Sequence, residues 1–556
     1  MKHSARSFLG GVLALTAASL GCFSCVQKNE GLGGNLIPSS QQYDLYTAEF
    51  ELQAIEMRMA DSLSGYSSSR MAIGAIRDSD FGLTTRSCAL TIVPFYDSLD
   101  FGENTVLRQF HFSAVADSVS VPAMDQAHIL QNLNVYELTQ EIGGHYDTNG
   151  DLTTFIGPRA TDGTLVYNGT DSLSFDFSAA YAQKYIDACK ADRSLCDSIS
   201  RYLDKLPGII IEAEAPVGAG GRINLFDLQL EYDKNYYITG NYAEMKFTAD
   251  YDGVRKDTSF LFYFSPAKMY DIDSLLTHSK QGSLPQYCFN HTGHSSRTKE
   301  GVATDVIRME GGGGLKPVVT ASEILSLMAA EIGSHCSDIS KAVVNKATLV
   351  FPYKFVYEDM FKYPQILSPT CRIRSNENVA FAGLTDASAK DENQGERNAS
   401  LKRYSPDITY HAQELLKKNP TDDLSNYDIW FLAVANETRT STTSGSSSSN
   451  DMSDYYRYLM YNSYYNNMYG GYGGYGYGGY GYGGYGGYGY GDYYSNYYSY
   501  AMAAMYMQNS NTSSTSTTQE LDKDRYYNAY LYGPQEADPA LRPKLIITYA
   551  IPKNQE

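Results

Sequence analysis

The chain has 556 residues and a formal net charge of −19, from 63 acidic and 44 basic side chains. That length is ample for two or three separately packed cores, and the acidic balance lacks the clustered Lys and Arg that a phosphate-backbone partner requires, so no nucleic acid is expected. Tyrosine is over-represented, at 50 against a single tryptophan, Trp430, and much of the excess lies in one tract.

The first segment carries a basic start at Lys2, His3 and Arg6, then an apolar run from Phe8 to Leu20 that is too short to span a bilayer. Gly21-Cys22-Phe23-Ser24-Cys25 closes it, followed by polar Gln27 to Glu30. Residues 1–25 therefore read as a lipoprotein signal: a small residue before cysteine permits cleavage, and acyl chains on the new terminal cysteine hold the protein to a membrane. Cys25 is the favoured lipidation site, with Cys22 as the alternative. Cleavage at Cys25 leaves Cys88, Cys189, Cys196, Cys288, Cys336 and Cys371, an even number suited to an oxidising compartment, though sequence does not pair them. On one continuous helix, the spacing of Cys189 and Cys196 would separate them by about 10 Å, beyond disulfide reach. Residues 26–44, rich in Gly, Asn, Ser and Gln, read as a flexible tether.

Short alternating strands broken by turns dominate the next 400 positions. Candidates are Ala89 to Phe95, Gly208 to Glu212, Leu225 to Tyr232, and the pair Glu244 to Tyr251 and Thr258 to Phe264, which face each other across Asp252-Gly253. Helical periodicity runs from Tyr181 to Leu206 and stops at Pro207-Gly208; further helices fit Ala321 to Gly333 and His411 to Lys418. Trp430 sits in an apolar run, Ile429 to Val434, expected to be a buried strand.

Three segments recur in order. Ala89 to Phe95 resembles Ala347 to Tyr353, Tyr136 to Glu141 loosely resembles Tyr410 to Glu414, and Leu228 to Tyr232 resembles Leu545 to Tyr549. The second series is longer, and residues 440–519, built of Ser, Thr, Asn, Gly and Tyr, account for the excess as a disordered insertion lengthening a hairpin loop. The expectation is an all-β protein of two tandem antiparallel, jelly-roll-like β-sandwich domains with a few short helices: residues 45–235, then 236–556 carrying the insertion.

Motifs that would carry chemistry are incomplete. Gly311 to Gly314 precedes Lys316, but Pro317 stands where a phosphate loop needs Ser or Thr, so a tight chain crossing is expected. Cys288, His291 and His294, with His278 nearby, lack an evident fourth zinc ligand. Asp147, Asn149 and Asp151 alternate as in calcium loops, yet the glycine and the closing acid are misplaced, which favours a turn. Ser296 to Lys299 matches Ser-x-x-Lys without its companion motifs. No catalytic residue, metal or cofactor is therefore assigned, and the chain is read as a non-enzyme.

Asp-Ser-apolar tripeptides place candidate O-glycosylation at Ser62, Ser98, Ser118, Ser172, Ser198 and Ser274, against ordinary turns. From Tyr469 to Gly491 only glycine and tyrosine occur. Tyr469, Tyr472, Tyr475, Tyr477, Tyr480, Tyr482, Tyr485, Tyr488 and Tyr490 offer flat faces and hydroxyls that stack on sugars or aromatics, which makes them candidate ligand contacts.

Several segments together resemble a known family: Gly31 to Pro38, Ile73 to Gly82, Asn134 to Leu138, the glycine run after Ile307-Arg308-Met309-Glu310, Asn345 to Ala347, and Leu541 to Tyr549. In that order they look like the Bacteroidota lipoproteins grouped as domain of unknown function 4270. The resemblance implies a β-rich protein lipid-anchored at the outer membrane, facing either the surface or the periplasm, and supplies no activity or site. The expected function is a non-catalytic binding or adhesion module for glycan or protein ligands. The alternatives are a structural or accessory subunit of an outer-membrane complex and, more remotely, a hydrolase.

Overall fold

The computed structural model describes residues 42–553 except 66–69, 95–98, 118–128, 143–146, 170–171, 198, 229–230, 233–237, 265–287, 355–361, 376–377, 389–393 and 442–513. Strands make up 50% of the structure and every named strand pair is antiparallel, so the chain is all-β and sandwich-like as expected.

The first core lies between two sheets. One follows the order β12 (Gly220–Asp227), β3 (Arg70–Asp78), β4 (Gly82–Leu90), β11 (Ile209–Ala213), β7 (Gln131–Leu138) and β8 (Ile156–Arg159). There, β17 (Cys288–His294) also pairs with β4, and β9 (Leu165–Tyr167) with β7. The other sheet runs β10 (Leu173–Asp176), β6 (Glu103–Ala114), β15 (Tyr242–Tyr251), β16 (Val254–Tyr263) and β5 (Val93–Pro94). A small ribbon of β13 (Glu231–Tyr232) and β14 (Ile238–Gly240) stands apart from both sheets. Helix α1 (Ala179–Ala191) packs Tyr181 and Tyr185 into an aromatic cluster with Phe110, Phe177 and Phe262. Each such pair adds about 1 kcal/mol beyond the area it buries.

The second core joins β1 (Tyr43–Glu51), β28 (Lys544–Pro552), β21 (Val343–Pro352) and β24 (Arg403–Tyr404) in one sheet. Its other sheet is β18 (Gly301–Val302), β2 (Ile55–Met59), β20 (Leu315–Val319), β25 (Ile429–Ser441), β22 (Ile366–Ser375) and β23 (Asn378–Gly383). To β25 is added β26 (Ser514–Leu521), and a ribbon of β19 (Val306–Glu310) and β27 (Asn528–Tyr532) completes the unit. Helices α3 (Ala321–Gly333) and α4 (Thr409–Leu415) pack Ile324, Met328, Ala412 and Leu415 into this core.

These cores divide the chain differently from the expected boundary at 235/236. Buried residues 71–289 form the first core, whereas Leu52 to Met59 belong to the second with residues 303–551. The first unit is thus nested inside the second. The reason is long-range pairing: β1 aligns Tyr43 with Pro552 through Glu51 with Lys544, and β15 aligns with β6 from Tyr242 opposite Ser113.

Local readings fare unevenly. The Asp252-Gly253 turn holds both residues at positive φ, 50° and 76°, and connects β15 to β16 as a two-residue hairpin. The periodic stretch 181–206 breaks into α1 and α2 (Ile199–Lys205), with a 3-10 turn at Leu195–Asp197 between them. The second pair of the apparent repeat is not structural, because Tyr136 lies on strand β7 and Tyr410 on helix α4.

Strand β25 pairs with β22 only as far as Val434, then continues to Ser441 against β26 alone, with Ser441 opposite Ser514. The backbone ladder therefore includes Thr440, Ser441 and residues 514–519, which were expected to fall inside the insertion. β-branched Thr favours extended pairing even in a Ser/Thr-rich stretch. A two-stranded ribbon brackets residues 442–513.

Candidate functional site

The densest buried polar chemistry lies where the two cores meet. Strand β17 delivers His291 and His294, the following 3-10 turn (Ser295–Lys299) delivers Ser296, β4 delivers Arg86, the end of β19 delivers Glu310 and the start of β20 delivers Lys316.

Glu310 is wholly buried. Its Oε1 accepts from His294 Nδ1 at 3.1 Å, and its Oε2 accepts from Ser296 Oγ and from the Leu315 amide at 3.0 Å. Burial alone would raise its pKa, but the hydrogen bonds from His294, Ser296 and the Leu315 amide hold it below the ordinary carboxylate value. Burial drives His294 the opposite way, below its ordinary value. We read Glu310 as the ionised member and His294 as a neutral donor: with Nδ1 protonated, Nε2 is left to accept from Arg86 Nη1, 3.4 Å away.

Lys316 explains the glycine run. Its buried ammonium donates to the carbonyls of Glu310, Gly312 and Gly314, the last two at 2.8 and 3.2 Å. Burial pushes its pKa down to about 7, while Glu310 opposes the shift. The lysine serves its own loop. A Cβ on Gly314 would stand 2.5 Å from Glu310 Cβ and 2.8 Å from His294 Cε1, and one on Gly311 would stand 2.6 Å from Arg525 O. The run is a tight crossing of chain against chain, as its sequence suggested.

Arg86 is also wholly buried, and burial lowers its pKa to about 10 against the pull of Asp524 and Glu310. Its Nε and Nη2 find no hydrogen-bond partner among the described residues. Further bonds tie the two units: Arg308 Nε to Asp80 Oδ2 at 2.8 Å, and Asn290 Nδ2 to Asp524 Oδ1 at 2.8 Å.

A cleft of about 390 Å³ opens beside this junction, lined by the loop Asn149 to Thr153, Glu212, His291 to His294 and Arg297. Burial, with Arg86 adding, pushes the His291 imidazole down to about 4, and burial raises the pKa of Glu212. Arg297 Nη2 donates to Asp61 Oδ1 at 2.8 Å.

The candidate motifs resolve into structural roles. Strand alternation puts Cys288 and His294 on one face of β17 and His291 on the other, and among the described residues no group of three or more ligand types could hold a metal. His278 lies outside the described residues. Asp151 Oδ1 accepts from the Thr153 amide at 2.9 Å, Gly150 N donates to Asp147 O at 2.9 Å, and Asn149 donates to Asp61, so this loop is a turn. Ser296 and Lys299 do not meet: the serine hydroxyl donates to Glu310 and the lysine to Asp80. Trp430 is buried between the Arg58 and Arg372 guanidinium groups, 5.8 and 5.4 Å from its ring centre.

Of the candidate glycosylation serines, Ser172 is exposed, while Ser62 is half-buried at φ 78° and its Oγ accepts from Arg372 Nη2 at 3.2 Å. Ser98, Ser118, Ser198 and Ser274, both lipidation candidates and the nine tyrosines lie outside the described residues. Sequence reading missed Arg86, Glu310 and Lys316 as a set. The available signal was a lysine two residues past a glycine run, read only against a phosphate loop. Comparison with protein-family models, curated proteins and solved structures returns no match, so the likeness to the lipoprotein family rests on its motifs alone.

Proposed function

We propose that the protein is a lipid-anchored lipoprotein of the outer membrane that presents its Tyr/Gly-rich segment for non-catalytic binding of glycan or protein ligands. The observation that carries this reading is the β25–β26 ribbon. Beyond Val434 it leaves the sheet's other strands and runs to Ser441 and Ser514, the two ends of the segment holding the tyrosine tract. A two-stranded ribbon is marginally stable alone, so extending one by a Ser/Thr stretch serves presentation better than core packing. Tyrosines spaced by glycine supply flat faces and hydroxyls, a composition suited to sugars or aromatic-rich surfaces.

The test replaces residues 442–513 with an Asn-Gly turn. The variant is expected to lose binding on glycan arrays and to cells while its thermal midpoint stays that of the parent. Retained binding defeats the reading, and recovery of both proteins with one fixed partner after gentle detergent extraction favours an accessory subunit instead.

A further inference from the structure

Four of the six cysteines in the folded body stand in two sulfur–sulfur contacts, although they are scattered along the chain. On adjacent strands β4 and β17, Cys88 is opposite Asn290 and Cys288 is opposite Leu90, so the two lie diagonally on one face. Their Sγ atoms are 3.5 Å apart, and both residues are at most 1% exposed. The second contact depends on the helix break. Because α1 ends at Ala191 and the 3-10 turn at Leu195–Asp197 folds back, Cys196 comes within hydrogen-bond contact of Cys189 instead of lying two turns along one helix.

We propose that Cys88 pairs with Cys288 and Cys189 with Cys196 as two structural disulfides. In each, two S–H bonds break and one S–S bond forms, and the two electrons and two protons pass to the disulfide of a thiol–disulfide exchange partner, such as oxidised glutathione, whose S–S bond breaks to give two thiols. Closing the first pair requires the sulfurs to move from 3.5 Å to the roughly 2 Å of a disulfide, within reach of side-chain rotation and a small shift of strand β17 against β4.

Geometry also fixes when the bonds form. Thiolate is the reactive species, and burial together with Cys88 pushes the Cys288 thiol well above its usual pKa; the Cys196 contact, then burial, does the same to Cys189. Once β17 has docked on β4, an exchange partner reaches neither sulfur. Oxidation therefore accompanies folding, and chain that folds reduced oxidises only slowly.

The proposal leans on the reading of an exported protein only for where oxidation happens, so the test is run in vitro on the full chain. Protein unfolded in guanidinium chloride is refolded in a mixture of reduced and oxidised glutathione, then alkylated, digested without reductant and read by mass spectrometry. Expected are cross-linked peptides joining Cys88 to Cys288 and Cys189 to Cys196, and, for chain folded reduced before oxidised glutathione is added, slow formation of both. Alkylated thiols at either pair after oxidative refolding, or cross-links to other cysteines, overturn that pair. If the links form in vitro but protein taken from its native cells carries thiols, the pairing stands and the export reading falls.

Discussion

His411 is a buried imidazole and His291 a half-buried one at the cleft wall, and the surroundings of both favour the neutral ring. Burial pushes each down to about 4, and the Tyr427 carbonyl, 3.0 Å from His411 Nε2, only partly offsets this for His411. A base whose pKa is depressed on folding binds fewer protons in the native state than in the unfolded one. Stability is therefore complete above the unfolded value of about 6.5 and falls as pH drops from there toward about 4. The loss is on the order of 3 kcal/mol per ring as an upper bound. Urea midpoints measured at about pH 7.5 and about pH 5 should show it, and His291→Gln or His411→Gln should shrink the difference. A drop equally large in both variants would assign it to other groups. Neither ring was legible as buried from sequence, because burial of His291 arises when β17 docks on β4 and the loop 149–153 covers it, contacts more than a hundred residues apart.

At the level of elements, some local signals were legible and others were not: the strands expected over Ala89 to Phe95 and Leu225 to Tyr232 are each broken in two, at 91–92 and after Asp227. Asp252-Gly253 announces its hairpin, and the periodicity of 321–333 marks α3 from end to end, with Thr320 Oγ1 accepting from the Glu323 amide at the start. The break between α1 and α2 was missed because apolar spacing continues through it. The glycines separate two kinds of constraint. Gly253 has φ 76° and open space where a Cβ would stand, so Gly253→Ala costs only the left-handed backbone penalty, roughly 1–2 kcal/mol. Gly314 has no positive φ but would drive a Cβ into Glu310 and His294, so Gly314→Ala disrupts a buried ion network and should cost more, about 3 kcal/mol or above. Chemical denaturation of the two variants checks the order; equal losses would mean the crossing relaxes easily.

For the molecule as a whole, the nested arrangement was beyond sequence reading, since nothing local tells Tyr43 to pair with Pro552. Once β1 joins β28 and β2 joins β18 and β20, the first unit is connected to the second by two crossings, and the polar junction becomes the means by which the cores hold each other. His294 to Glu310, Asp80 to Arg308 and Asn290 to Asp524 each join one unit to the other. Removing one member of a buried charged set is costly because the remaining charges stay buried without compensation, about 3–5 kcal/mol. Glu310→Gln keeps the shape but removes one counter-charge of Arg86, which retains Asp524, and the anion that holds the proton on buried Lys316. The parent should unfold in one calorimetric transition, and Glu310→Gln should lower the midpoint and separate the transition into two, as each core melts on its own. Two resolved transitions in the parent would show that the cores are independent and that the junction merely fills their contact; a single, unshifted transition in Glu310→Gln would show that the carboxylate does not couple them.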